Sequence, residues 1–322
     1  MSLPRPLLLA LLLVPAAATA AAPRLVASIA PIHSLVAGVT DGVVTPRLLV
    51  PGGRSPHAFA LAPSDTRALA GADAVFLAGG ASERFLERPL ASLAADARLV
   101  RMSAAPGVRR LAARSGGAWA DAHDHDSDHG DQADQPGHSE HAGGGDTTSD
   151  AGLDPHLWLD PGNAIAFTRA VADALAAMDP AHAGRYRDNA TRQVERLRAL
   201  DATLARRLAP VAGRPYLVFH DAYQYLEARY GLAAAGSITV DPGRPPGARR
   251  LAGLRERIRE RDIRCLFIEP QFEPAIARTI AQGTPARIAE LDPLGAGLEP
   301  GPGLYPALMR RLADGLVGCL GA

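Results

Sequence analysis

One long helical segment near the middle of the chain constrains the fold more than any other feature. Asp179 followed by Pro180 is typical of a helix start, because aspartate caps the first turn and proline suits the first helical position. Apolar side chains then recur at spacings of three, four or seven: Tyr186, Ala190, Val194, Leu197, Leu204 and Leu208. Pro210 and Gly213 end the pattern. About 30 residues make a helix of roughly 45 Å, so we expect a stiff linking helix over residues 179–210 and only small movements of the parts that it joins.

Short β-rich runs alternate with helical segments on both sides of this helix. The strand-like runs are residues 25–29, 44–50, 74–78 and 98–102, then 216–219, 237–240, 265–268 and 286–291. The helical patterns cover residues 64–70, 163–177, 249–260 and 304–320. Such alternation predicts two α/β lobes with largely parallel sheets, and 322 residues suffice for two domains. We expect an N-terminal lobe over residues 21–178 and a C-terminal lobe over residues 211–322.

The N-terminus has the pattern of a secretory signal. Arg5 precedes an apolar run over residues 7–14, and Ala18-Thr19-Ala20 fits an A-x-A cleavage site. The run is much shorter than the ~20 residues that span a bilayer. Residues 1–20 are therefore expected to be a signal peptide that is removed on export. Because no cysteine at the processing site could take a lipid, the expected compartment is a bacterial periplasm.

Charge and cysteine content narrow the classes of function. Basic and acidic residues number 34 each, so no overall field favours nucleic acid or an acidic membrane surface. This balance favours a small molecule or an ion as the partner. The two cysteines, Cys265 and Cys319, both lie in the last third of the chain. In an oxidising compartment they are expected to form one disulfide, with a pair of metal thiolates as the alternative.

A histidine- and aspartate-rich tract occupies residues 121–146. It contains five of the ten histidines of the chain: His123, His125, His129, His138 and His141. Imidazole and carboxylate groups bind ions such as Zn²⁺, while the absence of large apolar residues leaves nothing to build a core. We expect a disordered loop that binds metal without forming a single defined site. The alternative is a solvated acidic loop with incidental histidines.

Three other histidines lie in loops that adjoin predicted strands or a predicted helix: His57, His156 and His220. In open α/β sheets ligands gather at the carboxyl ends of strands, which is where His220 and His57 are expected. Asp292, directly after the run 286–291, has an equivalent position. A single histidine at a strand end is more often an ordinary hydrogen-bonded loop residue, and the wide separations match no zinc-finger signature. Spacing alone therefore leaves the site open.

Five motifs in a fixed order resemble one known family. They are SPHAFALAPSD at 55–65, DPHLWLDP at 154–161, VFHDAYQYLE at 218–227, IEPQF at 268–272 and LDPLG at 291–295. Together with the tract just before the second motif, they resemble the periplasmic zinc-binding proteins of ABC importers, the ZnuA type. The resemblance implies two lobes joined by one long helix, with the metal held in the cleft between them. It also implies zinc ligation by His57, His156 and His220, a disulfide between Cys265 and Cys319, and a membrane permease as partner.

One position departs from the family pattern. Some members have an acidic residue directly before the first histidine, where this chain has Pro56. Zinc favours four tetrahedral ligands, so the fourth would be a water or Asp292, and we favour water. Manganese-type relatives replace the third histidine with a carboxylate, whereas His220 keeps the site rich in nitrogen and suited to zinc. Asp160 and Asp221 are candidates for orienting the ligand histidines.

The function that we expect is capture of Zn²⁺ in the periplasm and its delivery to an ABC permease, by a monomer without catalytic activity. A zinc hydrolase would need a general base and an arrangement such as H-E-x-x-H, which is absent. Two alternatives stay open: an exported protein that sequesters metal or acts as an adhesin, and a receptor for manganese or another divalent ion. We expect His33 and His182 to be ordinary structural or surface residues.

Overall fold

Two parallel four-stranded sheets form the framework of the chain. The computed structural model describes residues 22–119, 150, 152–239 and 246–322; the expected signal peptide and the tract 121–146 lie outside them. The N-terminal lobe contains β1 (Leu25–Ile29), β2 (Arg47–Val50), β3 (Ala74–Leu77) and β4 (Arg98–Arg101), in the order β2-β1-β3-β4. The C-terminal lobe contains β5 (Pro215–His220), β6 (Ala233–Thr239), β7 (Cys265–Ile268) and β8 (Arg287–Glu290), in the order β6-β5-β7-β8. All of these strand pairs are parallel, which confirms the predicted two-lobed α/β fold.

Helices cover the sheets and join the lobes. In chain order they are α1 (Ala30–Thr40), α2 (Pro63–Ala70), α3 (Glu87–Leu93), α4 (Pro161–Met178), α5 (Ala183–Leu208), α6 (Gln224–Tyr230), α7 (Ala248–Glu260), α8 (Ala275–Ala281) and α9 (Leu304–Leu320). Among the described residues, none of these helices could cross a membrane. Helix α1 was not predicted. Every one of its residues is buried, so it has no polar face and shows no amphipathic periodicity.

The predicted strand ends differ from the observed ones mainly at β2 and β6. Strand β2 begins at Arg47, three residues later than the predicted run. Strand β6 begins at Ala233, four residues earlier, because its first residues are small and lack the β-branched side chains that mark strands in a sequence. Residue 240, at the end of that predicted run, lies outside the described part of the chain.

The long helix is present with the predicted buried face. Helix α5 has 26 residues, roughly 39 Å, and the six apolar residues of the predicted stripe are all buried. Its start differs from the prediction: Pro180–His182 form a 3₁₀ turn, and the α-helix begins at Ala183. The Asp179 carboxylate does not cap the turn, because it accepts hydrogen bonds from the Tyr186 hydroxyl at 2.8 Å and from His182 Nδ1 at 2.7 Å.

Helix α5 packs against α1 and α4 on the N-terminal side and against α9 on the C-terminal side. Two buried amides fix it to α1. Asn189 Nδ2 donates to the carbonyls of Val39 and Asp41, and Gln193 Nε2 donates to the carbonyl of Leu35. The two bonds from Asn189 satisfy carbonyl groups at the end of α1, which a buried helix end would otherwise leave without partners.

A second crossing between the lobes precedes the tract. Residues 109–119 lie against the C-terminal lobe, where Leu111 N donates to the Tyr225 hydroxyl at 2.9 Å and an Arg250 nitrogen donates to the Ala118 carbonyl at 3.0 Å. On the far side of the tract, Asp150 accepts from Ser103 of the N-terminal lobe at 2.9 Å. The two ends of the segment that carries the tract are also joined to each other, because Ala113 N donates to the Gly152 carbonyl at 2.8 Å and Asp154 N donates to the Leu111 carbonyl at 2.9 Å.

A disulfide joins β7 to α9. Cys265 and Cys319 are bonded, with their Cα atoms 6.0 Å apart and a sequence separation of 54. The predicted disulfide is therefore present, and the alternative of two metal thiolates is wrong for this pair.

The backbones of the two lobes approach each other closely at Gly52. A Cβ atom there would lie 2.6 Å from the backbone of Gly295, whereas a Cβ at Gly53 would meet nothing within 4 Å. We expect Gly52→Ala to lower the free energy of unfolding by about 1–3 kcal/mol, because one backbone must move away from the other. Gly53→Ala is the matched control and should change it by less than about 0.5 kcal/mol. Urea unfolding measures both, and equal effects of the two variants would show that the contact between the lobes is not tight.

Candidate metal centre

Three histidines that are far apart in sequence meet between the lobes. His57 lies in a 3₁₀ turn, Pro56–Ala58, which follows β2, and its backbone N–H donates to Ser55 Oγ. His156 directly precedes the 3₁₀ turn Leu157–Leu159 that leads into α4, and His220 is the last residue of β5. One ring nitrogen of each lies within 4.8 Å of the corresponding nitrogens of the other two.

The rings are spaced as ligands of one ion would be. Nε2 of His156 and Nε2 of His220 are 3.2 Å apart, and the ring centroids of the three pairs are separated by 5.1 to 6.1 Å. Two nitrogens that each lie about 2.1 Å from a tetrahedral ion would be about 3.4 Å from each other. His156 and His220 are buried, each with 4% of its surface exposed, whereas His57 is on the exposed side of the cluster. The arrangement can hold one metal ion that is reached from the side of His57.

A carboxylate two residues earlier in the chain positions His156. Asp154 Oδ1 accepts from the backbone N–H of His156 at 3.0 Å and lies 2.8 Å from its ring Nδ1. The indole ring of Trp158 lies against the His156 ring, and its Nε1 donates to the carbonyl of Pro293 at 2.8 Å. His156 is thereby held with Nε2 directed at His220.

A carboxylate on the neighbouring strand positions His220. Leu217 of β5 pairs with Leu266 of β7, so the end of β5 lies beside the residue that follows β7, Glu269. Glu269 Oε1 lies 2.6 Å from Nδ1 of His220, and both residues are buried. Such a carboxylate fixes which ring nitrogen carries the proton and leaves Nε2 available to a metal.

The surroundings of the two buried rings affect their protonation differently. Burial lowers the pKa of His156 well below its ordinary value, and the charge of His220 adds to that effect. Burial alone would also lower the pKa of His220, but the carboxylate of Glu269 outweighs it and raises the pKa. His156 is therefore neutral and able to bind metal at neutral pH, while a metal competes with a proton for His220 as the pH falls.

The predicted orienting residues, Asp160 and Asp221, have other partners. Asp160 caps α4 by accepting from Gly162 N at 2.7 Å, and it pairs with Arg229 at 2.9 Å. Asp221 accepts from Arg114. The prediction was wrong because it chose the carboxylates that follow each histidine, whereas the positioning groups are Asp154 and Glu269. The sequence contained a signal for Asp154. It precedes His156 by two residues, and the carboxylate of an aspartate at that spacing can accept the backbone N–H of the later residue.

Asp292 is not part of the cluster. Its carboxylate accepts from the backbone N–H groups of Leu294, at 2.9 Å, and Gly295, at 3.0 Å, and from Gln271 Nε2 at 2.8 Å. It therefore shapes the loop after β8 and has no place among the converging nitrogens.

The remaining described histidines lie elsewhere. His33 is buried in α1 with Nε2 3.0 Å from the Pro46 carbonyl, and exposed His182 bonds to Asp179. Both agree with the structural or surface roles expected of them.

Two cavities adjoin the three rings on different sides. The smaller has a volume of about 10 Å³ and is also lined by Trp158, Glu269 and Phe272. The larger has a volume of about 410 Å³ and is also lined by Arg84, Arg114 and Phe85. The smaller one has room for about one water molecule, whereas the larger one admits a small organic molecule.

Comparison with known proteins agrees with this architecture. A family model described as "Zinc-uptake complex component A periplasmic", ZnuA, matches residues 25–319. The chain is 42% identical over 312 residues to the high-affinity zinc uptake system protein ZnuA of Brucella abortus, covering 92% of this chain and 91% of that protein. It is 34% identical over 302 residues to the protein of the same name from Yersinia pestis, covering 93% and 92%.

A solved crystal structure of ZnuA has the same fold, with a TM-score of 0.71 and 24% identity over 92% of this chain and 99% of that one. The match of the family model and the identity to two relatives both extend over more than nine-tenths of the chain. The chain therefore belongs to the ZnuA family of periplasmic zinc-uptake components, which are solute-binding proteins and not enzymes.

Proposed function

We propose that the protein captures Zn²⁺ in the periplasm with His57, His156 and His220 and delivers it to an ABC permease for zinc uptake. The observation that carries the proposal is the convergence of three imidazole nitrogens within 4.8 Å of one another, between the lobes. The names of the Brucella and Yersinia relatives, which are zinc uptake proteins, support the same cargo.

The donor set favours zinc over harder ions. Three neutral imidazoles suit zinc, whereas manganese and calcium prefer oxygen ligands. The two carboxylates closest to the rings, Asp154 and Glu269, are bonded to the outer nitrogens of His156 and His220. They orient the ligands and offset the charge of the ion instead of adding oxygen donors to the cluster.

Deletion of residues 121–146 tests whether the defined site lies in the cleft. We expect the shortened mature protein to bind one zinc ion per chain with an affinity within about threefold of the full mature chain, because the three imidazoles are held by residues outside the tract. Competition with a zinc chelator measures this. If the deletion abolished tight binding and the single changes His57→Ala, His156→Ala and His220→Ala left it intact, the site assignment would be wrong.

Growth in chelated medium tests delivery to a permease. A strain without this gene should grow poorly when zinc is scarce and recover when zinc is added. The full gene should restore growth. A gene that carries both His156→Ala and His220→Ala should not, even when the variant protein is exported in the same amount as the unchanged protein. Normal growth in chelated medium of the strain that lacks this gene would instead favour a protein that only sequesters metal.

The carboxylate of Glu269 offers a prediction about positioning. Glu269→Gln keeps the shape of the side chain but removes the charge beside His220, so we expect zinc affinity to fall by about 10- to 100-fold. Glu260→Gln, at the exposed end of α7, is the matched control and should leave affinity unchanged. Chelator competition across a range of pH adds a second readout. Glu269 raises the pKa of His220, so loss of its charge should lower the pH at which protons begin to displace zinc from His220. A variant that is only less stable would not show this shift.

A further inference from the structure

The three histidines leave the fourth position of a tetrahedral zinc ion open. Pro56, directly before the first histidine, has no side-chain donor, and the Asp292 carboxylate is bonded to backbone N–H groups and to Gln271. Among the described residues, no cysteine or carboxylate joins the three histidines in the cluster of ligand atoms. The fourth position is therefore left to a ligand other than a His, Cys, Asp or Glu side chain of the described residues.

The space beside the rings is far larger than one water molecule requires. The cavity of about 410 Å³ is lined by all three histidines, and a water molecule takes about 30 Å³ of liquid volume. His57, the exposed member of the cluster, borders it, so a ligand in this cavity can reach the ion. The cavity is large enough for a small organic molecule of several carbon atoms.

Two guanidinium groups, those of Arg84 and Arg114, and two carboxylates, those of Asp154 and Asp221, line this cavity. Asp154 is already bonded to the His156 ring. Arg114 is paired with Asp221 and with Glu227, so two carboxylates compensate its charge. Arg84 also lines the cavity, and within the described residues its guanidinium makes no hydrogen bond or ion pair. A bound Zn²⁺ would add a second positive centre to the same cavity. A guanidinium binds carboxylates through two parallel hydrogen bonds, which makes it suited to this class of anion.

We propose that the cavity binds a small organic dicarboxylate, which supplies the fourth zinc ligand with one carboxylate and pairs with Arg84 through the other. This inference rests on the proposed function, because it needs zinc at the three histidines. The bound species is then a ternary complex of protein, metal and anion, and no bond other than the metal–oxygen contact and the hydrogen bonds to Arg84 is formed. Zinc affinity would rise when the anion is present.

Succinate is a suitable probe, with neutral succinamide as its control. The full mature chain is loaded with one equivalent of zinc and titrated with each compound by calorimetry. The titrations are repeated on protein loaded with one equivalent of Co²⁺, and the visible absorption bands of the cobalt ion are recorded. These bands shift when a ligand of the metal changes. We expect one succinate per chain, a shift of the cobalt bands, and no response to succinamide. Arg84→Gln should weaken succinate binding at least tenfold, whereas Arg88→Gln, an exposed arginine outside the cavity, should not.

The inference is overturned if succinate does not bind, if it binds without shifting the cobalt bands, or if Arg84→Gln has no more effect than Arg88→Gln. Failure of the proposed function is recognised separately, by chelator competition with zinc alone and no succinate. If His156→Ala and His220→Ala leave zinc affinity unchanged in that assay, the metal site itself is misplaced. Tight zinc binding that depends on the histidines, together with no succinate response, overturns only the dicarboxylate.

Discussion

Replacing His220 with alanine is expected to weaken zinc binding by more than about 100-fold. Loss of an orienting carboxylate typically costs 10- to 100-fold in metal affinity, and loss of a ligand should cost more. The change removes a buried donor and also leaves Glu269 buried without its histidine partner. His156→Ala should have a similar effect, since it also removes a buried ligand and leaves Asp154 buried without its histidine partner. Chelator competition on protein without residues 121–146 measures both losses without a contribution from the tract.

The exposed member of the cluster should matter less. A water molecule can take the place of His57 because its ring borders the open cavity, so His57→Ala is expected to cost less than either buried change. His182→Ala is the matched control, because His182 is exposed and bonded to Asp179, away from the cleft. Equal affinities of the His220→Ala, His156→Ala and His182→Ala proteins would contradict the proposed ligand set.

Removal of the disulfide is expected to have the largest effect on stability. In the loop-entropy model, closure of a 54-residue loop contributes about 4 kcal/mol. The double variant Cys265→Ala, Cys319→Ala should therefore unfold with a free energy lower by about 2–5 kcal/mol and a Tm lower by roughly 10 °C. Both sulfurs are in the core of the C-terminal lobe, so part of the loss comes from packing between β7 and α9.

The same variant should keep its zinc affinity within about twofold. Cys265 begins β7, and Glu269 follows the other end of that strand, about 13 Å away along the chain at the usual rise per residue. Urea unfolding and chelator competition on the same preparation separate the two properties. A large loss of zinc affinity in a protein that is still folded would mean that the disulfide shapes the cleft directly. An unchanged Tm would mean that it contributes nothing to stability.

The sequence predicted the parts of the fold that depend on local periodicity. The buried face of α5 could be recognised because its apolar residues recur at helical spacing over many turns. Helix α1 could not, because burial on all sides removes the contrast between polar and apolar faces on which such recognition depends. The crossing of residues 109–119 onto the C-terminal lobe was also missed. It is made by single hydrogen bonds such as that from Leu111 to Tyr225, which have no sequence pattern.

The candidate site was also only partly predictable from the sequence. His57, His156 and His220 could be proposed from motifs, although isolated histidines do not identify a site by spacing. Glu269 was missed because its role depends on β7 lying next to β5, with the residues that follow both strands at the same edge of the sheet. Neighbouring strands in a parallel sheet need not be consecutive in sequence, so this pairing cannot be deduced from local patterns.

X-ray absorption at the zinc edge, on protein without residues 121–146 and with one equivalent of zinc, identifies the ligands of the bound ion directly. A three-histidine site predicts four light ligands at about 2.0–2.1 Å, with the outer-shell scattering of three imidazole rings. The fourth ligand should be an oxygen, because no further donor joins the histidines among the described residues. A sulfur at about 2.3 Å, or a shell of oxygens with one imidazole or none, would contradict the three-histidine site.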